Sequence, residues 1–202
     1  MKHDLDFIIE SYNNNRSIIF DLDDTIFPEV TFLNYRYRFM CQKIFDVRWE
    51  NPYEFICNEF AQNGRLFLFD KLIKEYKMDM SVNDVIEIFR NSDRDSEMKL
   101  YPYQWFTNLA KKLNKKFPLL VITNGNPFQQ KCKLKALGLE KFFLKTIYIF
   151  ANEYGGKPNP EPYYALSNKH ELHSPIYIGD SQVDYEFSAK CKAEFIDVKN
   201  LL

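Results

Sequence analysis

Ser17-Ile18-Ile19-Phe20-Asp21-Leu22-Asp23-Asp24-Thr25 decides the fold, because here an apolar run ends abruptly in three carboxylates. The β-branched and aromatic residues of this run predict a buried strand. Ligands of open α/β sheets bind outside the carboxyl ends of the strands, so acids at this position would face a crevice. Mg²⁺ is the ion best suited to neutralise them, because it prefers carboxylate and carbonyl oxygens. A strand that runs into an ion-free acidic turn is the alternative interpretation.

Length and composition are those of a globular protein. The 202 residues suffice for one domain, or for a core with a modest insert. A hydrophobic share of 46% provides for a packed core and argues against disorder. The net charge of -1 gives no electrostatic reason to expect nucleic acid or a membrane surface as partner. The four cysteines lack metal-site spacing, so we expect them to be reduced in a cytoplasmic protein.

Helical periodicity runs from about residue 30 to residue 92. This segment contains four predicted helices in succession, one of which should open at Asn51-Pro52 and close at Gly64. Four helices without a strand do not fit a β-α-β alternation, so we predict an inserted α-helical domain, with residues 91–96 as the return linker. Residues 1–16 are predicted to form a separate N-terminal extension.

Strands and single helices alternate after Pro102. Apolar runs predict strands at 119–123, 146–150, 175–179 and 195–198, each separated from the next by one helix. This pattern indicates a parallel sheet covered on both faces. The predicted fold is therefore α/β, a Rossmann-like three-layer α/β/α core built from 17–28 and 97–202, with the helical domain inserted at 29–96.

Three later segments carry residues suited to phosphate or metal. Thr123-Asn124-Gly125 ends one strand with a hydroxyl and backbone amides that can cradle an anion. Lys157 lies on a glycine-containing loop just before a helix, and Asp180 and Asp184 follow the strand at 175–179. Each segment also has an ordinary interpretation: a turn, a solvated lysine, and a capped helix start with an early acid.

The order of these residues resembles the haloacid dehalogenase-like hydrolase superfamily, in its phosphatase branch with a small helical cap. The four motifs of that superfamily are Asp-x-Asp-x-Thr, a strand that ends in Thr or Ser, a lysine, and Gly-Asp-x-x-x-Asp. The chain offers, in the same order, Asp21 and Asp23, Thr123, Lys157, and Asp180 and Asp184. The resemblance spans residues 17–198, and it identifies the segment 29–96 as the cap domain.

The resemblance implies an enzyme, a Mg²⁺-dependent phosphoric monoester hydrolase. Asp21 would be the nucleophile that forms an aspartyl-phosphate, and Asp23 the acid and base. Thr123 and Lys157 would complete the catalytic set, and together with Asn124 they would bind the phosphate. The metal ligands implied are Asp21, Asp23 through its carbonyl, and Asp180, with Asp184 in support. Asp23 counts against dehalogenation, because the dehalogenases of the superfamily lack an acid two residues after the nucleophile.

The expected partner is a small phosphorylated metabolite, either a sugar phosphate or a nucleotide. We expect no nucleic-acid or membrane partner, and the sequence indicates no oligomeric state. The alternatives are a phosphomutase of the β-phosphoglucomutase type and a non-catalytic binding module on the same fold. Four arginines of the cap could contact the leaving group, although most are expected to be solvated: Arg36, Arg38, Arg48 and Arg65.

Overall fold

A computed structural model of the chain describes residues 4–91 and 98–202. These residues fall into two compact units, one formed by 4–29 and 99–202 and the other by 30–91 and residue 98. The predicted return linker at 91–96 lies, apart from its first residue, outside the described part of the chain. Residues 4–16, predicted as an extension, belong to the first unit, where Ile8 is fully buried and the ring of Tyr12 lies 4.9 Å from that of Phe117.

A parallel sheet organises the first unit. Its strands are β1 (Ile18–Phe20), β2 (Leu119–Thr123), β3 (Thr146–Phe150), β4 (Ile176–Gly179) and β5 (Glu194–Asp197). Their order is β3-β2-β1-β4-β5, and every neighbouring pair is parallel. The predicted α/β fold with a parallel sheet is confirmed. Because β1 lies at the centre, its acids are flanked by the ends of β2 and β4.

The described part of the chain contains α1 (Leu5–Asn13), α2 (Glu29–Phe45), α3 (Glu50–Asn63), α4 (Leu68–Glu75), α5 (Val82–Arg90), α6 (Gln104–Leu113), α7 (Pro127–Leu137), α8 (Glu161–Ser167) and α9 (Gln182–Lys190). None of these helices has both the length and the apolar character needed to cross a membrane.

The two faces of the sheet are covered by different helices, as the alternation of side chains along a strand requires. On one face, Ile19 and Tyr177 belong to a cluster with Leu166 of α8 and Phe187 of α9. On the other face, Phe20 packs edge-on against Phe106 of α6, with ring centroids 5.5 Å apart. The result is a three-layer core in which the carboxyl edge of the sheet stays open for polar residues.

The helical unit is built around aromatic rings. Tyr37 of α2 lies 5.9 Å from Phe60 and 5.5 Å from Phe89, between ring centroids. Arg36 is 1% exposed, lies against the ring of Phe89 and donates a hydrogen bond to the carbonyl oxygen of that residue. Arg36 therefore has a structural role in packing this unit.

The start of α3 differs from the prediction. The helix begins at Glu50 after a 3₁₀ turn at Asp46–Arg48, so Asn51 lies inside the first turn and is not the N-cap. Pro52 is tolerated there because the first amides of a helix have no partner within it. The predicted end is correct, since Gly64 closes the helix with φ +62°.

Candidate active site

Asp21 lies at the point where the chain leaves the sheet. Its backbone N–H still donates to the carbonyl of Ile178 on β4, at 2.9 Å. The chain then turns through Asp24, which has φ +52°, and the Asp24 carboxylate accepts a hydrogen bond from the backbone of Glu29 at the start of α2. The acidic segment is thus a fixed turn at the carboxyl edge of the central strand.

Lys157 connects Asp21 to the last motif. Its Nζ lies 2.6 Å from Oδ1 of Asp21, 2.6 Å from Oδ1 of Asp184 and 2.9 Å from the hydroxyl of Tyr177. Burial alone would lower the pKa of Lys157, but the two carboxylates outweigh this effect and the pKa is raised. The side chain is therefore a permanent, buried positive charge beside Asp21.

Asn124 fixes the loop that carries Lys157. Its Oδ1 accepts from the backbone N–H of Lys157 at 2.8 Å, and its Nδ2 donates to the carbonyl of Lys157 at 3.1 Å. This pair of bonds occupies the side chain of Asn124. A contribution of Asn124 to phosphate binding would therefore come from its backbone amide, in the turn continued by Gly125, which has φ +121°.

Asp21, Asp180 and Asp184 form a carboxylate cluster. One oxygen from each lies within 4.8 Å of the others. Burial raises the pKa of Asp21 to about 8, with Asp184 and Asp23 adding to the shift and Lys157 opposing it. Burial, followed by the charge of Asp184, raises the pKa of Asp180 to about 6. The cluster thus holds more negative charge than Lys157 compensates, and its oxygen donors fit a hard divalent cation such as Mg²⁺.

Asp184 has a different position from the other two acids. Its Oδ1 faces Lys157, and its Oδ2 lies 2.6 Å from the hydroxyl of Ser181, with which it forms a capping box at the start of α9. Gly179 makes this approach possible, because a Cβ there would lie 2.5 Å from the Cβ of Asp184. Asp184 is therefore suited to a supporting role, and Asp21 and Asp180 to direct coordination.

Asp23 is held on the other side of the site by α7. Nζ of Lys133 lies 2.8 and 2.7 Å from its two carboxylate oxygens, and Nε2 of Gln130 lies 2.9 Å from Oδ2. The same Gln130 nitrogen donates to the hydroxyl of Thr123 at 2.6 Å. The structure thus joins Asp23 to Thr123 through Gln130 and Asp21 to Asp184 through Lys157, and it places Asp180 beside Asp21 and Asp184.

Sequence reasoning missed Gln130, Lys133 and Tyr177, although each left a signal. Gln130 and Lys133 share the inward face of α7 with the buried Leu134 and Leu137, and a polar residue on such a face requires a buried partner. Tyr177 lies in the middle of a strand that is buried throughout, where its hydroxyl also requires a partner. That hydroxyl donates to the carbonyl of Ile122 at 3.0 Å.

The sequence profile of the haloacid dehalogenase-like hydrolases matches residues 18–198. This match spans most of the chain, and the protein belongs to that family and is a hydrolase by membership. A search of curated proteins gives no significant match.

Solved structures show the same fold. The magnesium-bound HAD-hydrolase YfnB of Bacillus subtilis is 22% identical with a TM-score of 0.58, and the alignment covers 89% of this chain and 86% of that one. A protein of Thermotoga maritima assigned as a β-phosphoglucomutase is 16% identical with a TM-score of 0.64, over 90% of this chain and 84% of that one. The L-2-haloacid dehalogenase of Xanthobacter autotrophicus is 12% identical with a TM-score of 0.54, over 90% and 76%.

Proposed function

We propose that the protein is a Mg²⁺-dependent phosphatase that hydrolyses a small phosphomonoester, a sugar phosphate or a nucleotide, through an aspartyl-phosphate on Asp21. The observation that carries this proposal is the buried contact of 2.6 Å between Asp21 and Lys157, beside the oxygens of Asp180 and Asp184. A carboxylate that is to attack a phosphate dianion needs positive charge next to it. Lys157 supplies one such charge, and the carboxylate oxygens of the cluster can bind a metal ion that supplies more.

Two half-reactions follow from the residues. In the first, an oxygen of Asp21 bonds to phosphorus while the bond to the leaving oxygen breaks, and Asp23 gives that oxygen its proton. In the second, Asp23 takes a proton from water, the water oxygen bonds to phosphorus, and the bond to Asp21 breaks. One carboxyl group can serve both steps because its proton is given and then regained.

The phosphate would be held by residues from three loops. Lys157 neutralises charge shared by Asp21 and the phosphate, while the hydroxyl of Thr123 and the amide of Asn124 contact phosphate oxygens. Mg²⁺ would be held by Asp21, Asp180 and the carbonyl of Asp23, with support from Asp184, and would supply the remaining positive charge. The magnesium in the YfnB structure supports this choice of ion.

Asp23 favours phosphoryl transfer over dehalogenation. A halide is a weak base and departs without a proton, so a dehalogenase has no use for an acid beside its nucleophile. An alkoxide leaving group is a strong base and requires one. The likeness to the dehalogenase of Xanthobacter autotrophicus therefore concerns the fold.

The test is release of inorganic phosphate from p-nitrophenyl phosphate and from a panel of sugar phosphates and nucleotides. We expect release with Mg²⁺ and none with EDTA or in Asp21→Asn. The exposed Lys169 provides the control, because Lys169→Met should leave the rate unchanged. Absence of release across the panel, or full activity of Asp21→Asn, would refute the proposal. Isomerisation of a hexose 1-phosphate without free phosphate would identify a phosphomutase instead.

A further inference from the structure

Lys133 is a buried cation that the mechanism above does not use. Its side chain is 4% exposed, and its Nζ contacts both oxygens of Asp23 and, at 3.2 Å, Oε1 of Glu29. Desolvating an ammonium group costs several kcal/mol, so a lysine at such a position needs close anionic partners. Lys133 has two, and one of them is the acid and base of the proposed reaction.

The contacts of Asp23 fix the orientation of its carboxylate. Lys133 binds both oxygens from one side, and Gln130 adds a bond to Oδ2. Both donors project from α7, whose first turn is fixed by the cap of Asn126 and by Pro127. A group that transfers a proton must be held within hydrogen-bond reach of its target, and errors of about 1 Å cost large factors in rate. The helix thus determines where Asp23 can deliver its proton.

Glu29 gives Lys133 a second anionic partner. When Asp23 turns toward a leaving oxygen, the ammonium group still has the carboxylate of Glu29 at 3.2 Å. The motion therefore does not leave an isolated buried charge, which would be strongly unfavourable. Lys133 can release Asp23 and recover it at small cost.

On the basis of the proposed phosphatase function, we propose that Lys133 is the positioning residue of Asp23. It holds the carboxylate in place for protonation of the leaving oxygen and does not itself touch the phosphate. Its contribution should then depend on the leaving group. p-Nitrophenolate departs without a proton, whereas the alkoxide of a sugar phosphate requires one.

The experiment compares Lys133→Met with the wild type on p-nitrophenyl phosphate and on a hexose 6-phosphate. General acid catalysis contributes about 10²–10⁴-fold, and partial loss of it should lower kcat on the alkyl ester by roughly 10- to 100-fold. On the aryl ester, the first half-reaction should be affected far less, and it is measured as the burst of p-nitrophenolate in a single turnover. Lys133→Arg should restore much of the alkyl-ester rate, because a guanidinium group can also donate to both carboxylate oxygens. Lys135→Met, two residues further along α7 and exposed, is the matched control.

A second comparison separates positioning from a general structural role. In an Asp23→Asn background, Lys133→Met should cause no further loss on the alkyl ester, because there is no longer an acid to position. If Lys133→Met does not fold, Lys133→Leu takes its place, since it also removes both the charge and the hydrogen-bond donor.

The outcomes are distinct. Selective loss on the alkyl ester supports the inference. Equal loss on both substrates, no loss on either, or a further loss in the Asp23→Asn background overturns it while leaving the phosphatase function intact. A wild-type enzyme that releases no phosphate from any member of the panel refutes the proposed function, and the inference with it; where another sugar phosphate or nucleotide of the panel is hydrolysed instead of the hexose 6-phosphate, that compound serves as the alkyl ester.

Discussion

Lys157 connects three segments of the site through its side-chain nitrogen and its backbone. It lies between Asp21 and Asp184, and its backbone is held by Asn124, so that its loop, β1 and the start of α9 meet at one nitrogen. The hydroxyl of Tyr177 makes the third contact with this nitrogen. The ammonium group is thereby oriented before any substrate arrives, which is what electrostatic stabilisation of a transition state requires.

Replacement of Lys157 by methionine should reduce hydrolysis by roughly a hundredfold, about 3 kcal/mol, the scale of one preorganised donor. Methionine keeps the unbranched apolar stem and removes the ammonium group, so the loss comes from the missing charge and its hydrogen bonds. The measurement is kcat/KM on p-nitrophenyl phosphate, with circular dichroism to verify folding and Lys169→Met as the charge-matched control. A rate within a factor of about three of the wild type would show that Lys157 neutralises Asp21 and Asp184 for stability alone.

The elements differ in how well the sequence predicts them. The apolar runs that form β2 and β4 are well predicted, because parallel strands buried on both faces are almost continuously apolar. Placing polar residues after three of the strands then predicts that they meet at one edge. What the sequence could not supply is the partner of Lys133 on the inward face of α7, because Asp23 and Glu29 lie more than 100 residues away along the chain. The start of α3 was predicted wrongly because a 3₁₀ turn leads into the helix, which therefore begins before Asn51 and has no side-chain cap.

The junction of β4 and α9 depends on the missing side chain of Gly179. In Gly179→Ala, the added Cβ would lie 2.5 Å from the Cβ of Asp184, so the first turn of α9 must shift and Asp180 and Asp184 with it. We expect a loss of about 1–3 kcal/mol in the free energy of unfolding, typical of overpacking, and a higher Mg²⁺ concentration for half-maximal activity. Urea unfolding and a Mg²⁺ titration of the rate measure the two effects.

Gly64→Ala is the control for this prediction. Gly64 has φ +62° but no atom within 4 Å of an added Cβ, and it lies in the helical unit. The substitution should cost about 1–3 kcal/mol of stability through backbone strain, because the φ and ψ angles of Gly64 are ones that essentially only glycine adopts, and it should leave the Mg²⁺ requirement unchanged. An unchanged Mg²⁺ requirement in Gly179→Ala as well would contradict the assigned role of that glycine.

For the whole molecule, the carboxylate cluster makes stability depend on pH. The pKa of Asp21 is about 8 and that of Asp180 about 6 in the folded protein, against 3.8 for an ordinary aspartate. Between the ordinary pKa of 3.8 and the raised pKa of about 8 for Asp21, the folded state binds more protons than the unfolded state. The free energy of unfolding of the metal-free protein therefore falls as pH rises. Thermal unfolding in EDTA should therefore show a Tm that decreases from about pH 5 to about pH 8.

Two variants of this measurement identify the groups responsible. Asp21→Asn removes the group with the higher pKa and should flatten the upper part of the Tm profile. Added Mg²⁺ competes with protons for the same oxygens, so it should raise Tm most at the alkaline end. A Tm in EDTA that is constant or increases over this range would show that the negative charge of the carboxylate cluster is neutralised without a metal ion.

The central position of β1 in the sheet also has a consequence for biosynthesis. Ile19 pairs with Leu120 on one side and with Tyr177 on the other, so β1 must wait for partners that are translated much later than itself. Contacts so distant along the chain form slowly. Until β4 and the start of α9 have been made, Asp180 and Asp184 are missing beside Asp21, so the carboxylate cluster cannot form on a shorter nascent polypeptide.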